Sequence, residues 1–198
     1  MACDLLIVVR YNEDIRWTYK LAPQIIFIDK KIGNFGRESL SYVRFIIENF
    51  KNDEIKEDNI VCFTQGNLNG NKIKNHPQKN KHVFDINLLN RSYSPLFGSR
   101  QLDTRFDACG RPWDKLPCLE SVAKSLGLLV PDRAWLGGYF ATRMQHIRKI
   151  SLNTWWYLYN LHFKYSSCRI PYVLERLWES ILVHGANFLH SNLTKKIC

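Results

Sequence analysis

The residues best placed to do chemistry are Arg10-Tyr11-Asn12-Glu13-Asp14, a polar cluster that directly follows the apolar run Leu5-Leu6-Ile7-Val8-Val9. In α/β sheets, ligands sit at the carboxyl ends of the strands. In such a place Asn12 and Glu13 can hydrogen-bond a base or a ribose, and Tyr11 can stack on a ring. The same residues also read as a helix cap, with Asn12 at the N-cap and Glu13 or Asp14 in the first turn. A second candidate is Gly137-Gly138-Tyr139-Phe140, because paired glycines within a strand mark close approach of a ligand or another backbone. Other chemistries drop out. The six cysteines lack C-x-x-C and Cys/His ligand spacing, which argues against zinc and for reduced thiols. There is no Ser-His-Asp order, P-loop or full dinucleotide fingerprint, and His146, His162 and His184 read as core or surface residues.

The elements that must position these groups follow from the apolar pattern. Leu5–Val9 is continuously apolar, as in a central strand covered on both faces. Asp14–Leu21 reads as a short helix ended by Pro23, and Gln24–Ile28 as a second continuously apolar strand. Arg37–Phe50 has helical spacing, with Leu40, Val43, Ile46, Ile47 and Phe50 as the inward stripe and Glu38 in the first turn. Ile60–Thr64 is a third buried strand, ending at Gln65-Gly66-Asn67, with Cys62 as a small core residue. Residues 69–82, rich in lysine and glycine, read as a solvated loop or a phosphate-gripping lid, and Val83–Leu89 as a strand or short helix. The stretch 93–117, broken by Pro95, Gly98, Gly110, Pro112 and Pro117, is irregular; irregular stretches of that length are usually functional.

Farther on, Leu119–Leu126 is a helix closed by Gly127. Ala134–Thr142 is a strand broken by the glycine pair, and Met144–Ile150 is helical. Thr154–Phe163 is an aromatic helix whose rings pack in the core or face a membrane interface or an acceptor. The last helix, Tyr172–Val183, has Pro171 in its first turn and Val173, Leu174, Leu177, Trp178, Ile181 and Leu182 inward. Strands alternating with helices give an α/β fold with a mixed, mostly parallel sheet.

The chain of 198 residues suits one domain, with 1–90 as a nucleotide-binding half and 91–198 as an acceptor or catalytic half. A formal charge of +10 points to an anionic partner: nucleic acid, an acidic membrane surface or a sugar-nucleotide diphosphate. With no signal peptide and no apolar run of about 20 residues, the expectation is a cytoplasmic or other intracellular protein, with peripheral membrane contact left open.

Four blocks carry a resemblance: R-Y-N-E-D at Arg10–Asp14, N-x-G-R-E at Asn34–Glu38, F-x-Q-G at Phe63–Gly66 and E-R-x-W at Glu175–Trp178. In this order they resemble a family of unknown function that is similar to GT-A glycosyltransferases. The resemblance implies a GT-A-like, Rossmann-like sheet flanked by helices. It also implies a nucleotide-sugar donor held by Arg10, Tyr11, Asn12, Glu13 and Asp29, with Gln65, Gly66 and Asn67 beside it. Arg37, opening a helix, would reach a phosphate; the alternative is a salt bridge to Glu38, Asp14 or Glu13.

GT-A enzymes usually carry D-x-D where this chain has Gln65-Gly66-Asn67. Neutral amides replace carboxylates poorly around Mn or Mg, so a divalent cation is left open and no metal site is assigned. The resemblance then implies that Arg100, Arg105, Arg111 and Arg143 stabilise the leaving diphosphate. Asp103 and Asp107 remain a lesser metal alternative. An inverting transfer needs a carboxylate to take the acceptor proton, and the order Gly137-Gly138-Tyr139-Phe140 then Glu175 makes Glu175 the first candidate and Glu179 the second. Pairing with Arg176 or Arg169 is the other reading of Glu175. Gly137, Gly138, Tyr139 and Trp178 would face a glycan or other hydroxyl acceptor, with packing as the alternative for Trp178. The expectation is an inverting, metal-independent glycosyltransferase; a non-catalytic nucleic-acid-binding module and a degenerate GT-A scaffold are the competing readings.

Overall fold

Strand β1 (Leu5–Arg10) lies between two parallel neighbours, β2 (Gln24–Asp29) and β3 (Ile60–Gln65). The structure is a computed structural model and describes residues 3–10, 13, 15–18, 22–29, 37–66, 92–95, 100–103, 118–136, 138–164 and 170–187. Beyond β3 runs β7 (Phe140–Arg143), antiparallel to it, and then β4 (Ser94–Pro95), antiparallel to β7. The order is β2-β1-β3-β7-β4, an open mixed sheet whose first three strands are parallel. A separate ribbon pairs β5 (Arg100–Asp103) with β6 (Arg133–Leu136). The helices are α1 (Arg37–Asn49), α2 (Cys118–Ser125), α3 (Met144–Arg148), α4 (Leu152–Lys164) and α5 (Ile170–Ser180). A π turn, Ile181–Gly185, continues α5. Among the described residues, no helix is long and apolar enough to cross a membrane.

β1 is apolar throughout because both faces are covered. Leu5, Ile7 and Val9 join the core on the helical side, while Leu6 and Val8 pack on the other side with Ile15, Cys62, Tyr139 and Ala141. On the helical side, Tyr42, Phe63, Phe140 and Trp178 form a chain of rings with centroid separations of 5.1, 4.9 and 5.2 Å. β2 departs from the expectation of a fully buried strand. It occupies the sheet edge, and its apolar residues are only half-buried.

The inward face of α1 also differs from the aliphatic stripe. Ser39, Tyr42, Val43, Phe45 and Ile46 are buried, whereas Leu40, Ile47 and Phe50 are half-buried. The rotation brings Tyr42 and Phe45 against Phe63, so aromatic area replaces aliphatic area in the contact. It also places Ser39 against His162 of α4, with Oγ 2.8 Å from Nε2. His162 Nδ1 lies 2.9 Å from the Leu158 carbonyl, so Nδ1–H donates there and Nε2 accepts from Ser39.

Ala134–Thr142 is not one strand: β6 ends at Leu136 in the ribbon and β7 begins at Phe140 in the main sheet. Gly138 has φ +66°, and an added Cβ would meet nothing within 4 Å, so its need is a backbone turn and not close approach.

Candidate functional site

β1, β2 and β3 end at one edge, and β1 has the next strand, β2, on one side and β3 on the other. Chain segments leaving β1 and β3 therefore part there, which is where open α/β sheets take ligands. Arg10 and Asp29 face each other in register. The Arg10 Nε–H donates to Asp29 Oδ1, Nη2 reaches Oδ2 at 3.3 Å, and the guanidinium lies 4.9 Å from the Phe27 ring centre. Gly66 closes this edge. A Cβ there would come within 2.9 Å of the Arg10 Cβ and 3.1 Å of Glu13 Oε2, so only glycine lets the ends of β1 and β3 approach.

The Gln65 amide donates to the Tyr139 hydroxyl and links this edge to a second polar group, contributed by α1 and α5. Arg37 begins α1 with φ +45°, a conformation that L side chains seldom adopt outside functional or strained sites. Its guanidinium lies 4.7 Å from the Tyr172 ring centre, and its Nε is 3.7 Å from Glu38 Oε2. Glu175 Oε2 is 3.7 Å from Nη1 of Arg176, a buried arginine that also donates to the Tyr172 carbonyl at 2.9 Å.

Three phenols are raised, first by burial and then by carboxylates. Burial pushes Tyr42 well above its ordinary value, and Glu38, Tyr139 and Glu175 push it further. Tyr139 is raised by burial and then by Glu38 and Glu175, while Arg37 pulls it down. Tyr93 is raised by burial, then by Glu179 and Glu175. Among the described residues, the buried Tyr42 hydroxyl and the buried Arg37 Nε have no hydrogen-bond partner.

The edge thus gathers Arg10, Glu13, Asp29, Gln65 and Gly66. Glu38, Glu175 and Arg37 act electrostatically on Tyr139, and Glu179 and Glu175 on Tyr93. Two expected residues lie elsewhere. Arg143 pairs with Ile60 at the opposite end of β3 and donates to the Asp58 carbonyl, which removes it from the carboxyl edge by roughly 16 Å of strand. Trp178 is 1 % exposed, between Phe140 and Trp155, so it packs the core and cannot present a platform to an acceptor. Tyr11, Asn12, Asn67, Gly137, Arg105 and Arg111 lie outside the described residues, as do Asp107, segments 69–82 and 83–89, and the Arg100 side chain.

Tyr42 escaped the sequence reading, while Glu38 and Arg176 entered it only as ion-pair alternatives for Arg37 and Glu175, the pairings the structure has. Their signal was available in part, because Glu38 and Tyr42 stand one helical turn apart and so share a face of α1. Among the described residues, no three His, Cys, Asp or Glu side chains are grouped so as to hold a metal ion. Compared with protein-family models, curated proteins and solved structures, the chain finds no match in any of the three.

Proposed function

We propose that the chain is a glycosyltransferase of GT-A-like build that moves a sugar from a nucleotide-diphosphate donor to a hydroxyl acceptor with inversion. The observation that carries this reading is the join between two features. A switch-point edge of parallel strands connects, through Gln65 and Tyr139, to two partly exposed carboxylates, Glu38 and Glu175, set among tyrosine rings. In the reaction, Glu175 takes the proton of the acceptor hydroxyl as its oxygen attacks the anomeric carbon. The bond from that carbon to the diphosphate breaks, and the electron pair leaves with the diphosphate. Arg10 is engaged by Asp29, and Arg37 by Glu38 and Tyr172. The diphosphate charge therefore falls in this reading to Arg100, Arg105 and Arg111, and amides at 65–67 in place of carboxylates favour a metal-independent reaction.

The test is release of UDP or GDP from their sugars by the purified chain, with chelator present. Glu175→Gln should lower turnover at least 100-fold while leaving donor binding intact. Unchanged turnover would remove Glu175 from the mechanism. A second reading, a non-catalytic scaffold, draws on the fact that Arg10 and Arg37 both have carboxylate partners in their own chain. It predicts no donor hydrolysis by wild type, however slow.

A further inference from the structure

Helix α4 turns two sides to different surroundings. Thr154, Trp155, Tyr157, Leu158, Leu161 and His162 are buried. The outer side carries Asn153, Trp156, Asn160, Phe163 and Lys164, all exposed, with Tyr159 half-buried among them. Trp156 is 45 % exposed and Phe163 54 %. Both rings close on Tyr159, at centroid distances of 5.6 and 5.1 Å, so the three form one aromatic ridge. Trp156 and Phe163 are two turns apart, which sets them on one side of the helix with about 10 Å between them along its axis. Exposed rings are ordinary when scattered singly; a contiguous row of them marks a binding face.

Charge selects the partner. Between Asp132 and Glu175 the sequence contains no Asp or Glu, while it contains Arg133, Arg143, Arg148, Lys149, Lys164 and Arg169. The ridge lies within this acid-free stretch. Arg143 is engaged by the Asp58 carbonyl and Arg148 by Glu57. Lys149, just ahead of α4, and Lys164, at its end, are exposed. α1, which packs on α4 through Ser39 and His162, exposes Arg44 and Glu48 as a pair 2.7 Å apart that is neutral together. The charge that α4 brings to its own ridge is therefore positive.

A second copy of this chain would set like charges against each other. Nucleic acid stacks its bases on open ring faces. Here Trp156 and Phe163 both close on Tyr159 and stand on a convex helix surface. The headgroup layer of an anionic bilayer suits both features, because it takes up Trp, Tyr and Phe rings while flanking lysines meet the anionic lipids.

We propose that the outer side of α4 docks on an anionic membrane surface, with Trp156, Tyr159 and Phe163 entering the headgroup layer and Lys149 and Lys164 meeting its charge. α4 then lies in the plane of the surface. The contact goes beyond the transfer reaction and uses none of its residues.

The experiment measures co-sedimentation of the full chain with vesicles of phosphatidylcholine alone and of phosphatidylcholine with about 30 % phosphatidylserine. Wild type should bind the mixed vesicles roughly 10-fold or more tightly than the neutral ones, and more weakly as salt rises. The double variant Trp156→Ala/Phe163→Ala should lose roughly 10-fold or more of that affinity. Lys149→Gln/Lys164→Gln should lose roughly 5- to 30-fold. Both pairs are exposed, so each variant should melt within about 3 °C of wild type. A milder substitution, Trp156→Phe, keeps a ring at the position and reads insertion directly. Quenching of tryptophan fluorescence by brominated acyl chains should fall in that variant.

No binding of wild type to the mixed vesicles overturns the proposal, as does equal binding to both kinds. Undiminished binding by either double variant does so too, and so does unchanged quenching in Trp156→Phe. Binding of wild type to single-stranded RNA but not to vesicles, lost in Trp156→Ala/Phe163→Ala, would assign the ridge to nucleic acid instead.

Discussion

The His162 imidazole, between the Ser39 hydroxyl and the Leu158 carbonyl, is held at about 4 by burial, below the ordinary value near 6.5. The native state therefore binds fewer protons than the unfolded chain between those two values. This contribution is fully present above about pH 6.5 and is lost as pH falls toward 4, by about 3 kcal/mol in all. Carboxylates titrate in part of the same range, so the readout is urea unfolding of wild type against His162→Gln at pH 7.5 and at pH 4.5. Wild type should lose more stability than the variant, and equal losses would remove His162 as the cause. Trp178 makes a second residue-level prediction, because it lies within the chain of rings. Trp178→Ala should cost about 3–5 kcal/mol in unfolding free energy, a cavity-sized loss. A loss below about 1 kcal/mol would return it to the surface as a candidate acceptor platform. His162 was read as a core or surface residue, and its partner was not legible: nothing local distinguishes Ser39 from other helical serines until α4 is packed on α1.

At the scale of elements, the edge formed by β1 and β3 depends on Gly66. Gly66→Ala forces a Cβ against the Arg10 Cβ at 2.9 Å, and strand backbone is the neighbour that has to yield. The expected cost is about 1–3 kcal/mol in urea unfolding, with the Arg10–Asp29 pair displaced. Gly138→Ala meets open space and carries only the left-handed backbone term, about 1 kcal/mol. Elements fixed by their own pattern were legible. β1 and β3 are apolar because both faces are covered, α1 and α2 have helical spacing, and Gly127 closes α2 with φ +69°. What depended on neighbours was not legible. β2 is apolar enough for a central strand but lies at the edge, and Ala134–Thr142 is divided between two sheets instead of forming one strand. The inward face of α1 was set by Phe63 across the contact, which a stripe counted along one helix does not register.

For the whole molecule, the charge of +10 and the carboxylate-rich group beside the sheet edge pull in different directions. The charge suits an anionic partner, while Glu38 and Glu175 each have an arginine 3.7 Å away in their own chain. The order of the sequence blocks brought forward Arg10 and Gly66, which come together at one strand edge. It could not indicate that Arg143 lies at the opposite end of β3, because only the antiparallel register of β7 fixes that. Outside the site, Trp156 and Phe163 of α4 are 45 % and 54 % exposed and lie on either side of Tyr159, the only part of the aromatic helix left for a peripheral contact among the described residues. A nucleic-acid module would instead bind RNA or DNA with steep salt dependence and show no preference for nucleotide sugars. The most direct test of the central claim is thermal unfolding of the purified chain with millimolar UDP- and GDP-sugars in the presence of chelator. The account predicts a rise of roughly 5–10 °C for at least one donor at saturating concentration. No shift with any member of a full nucleotide-sugar panel would contradict it.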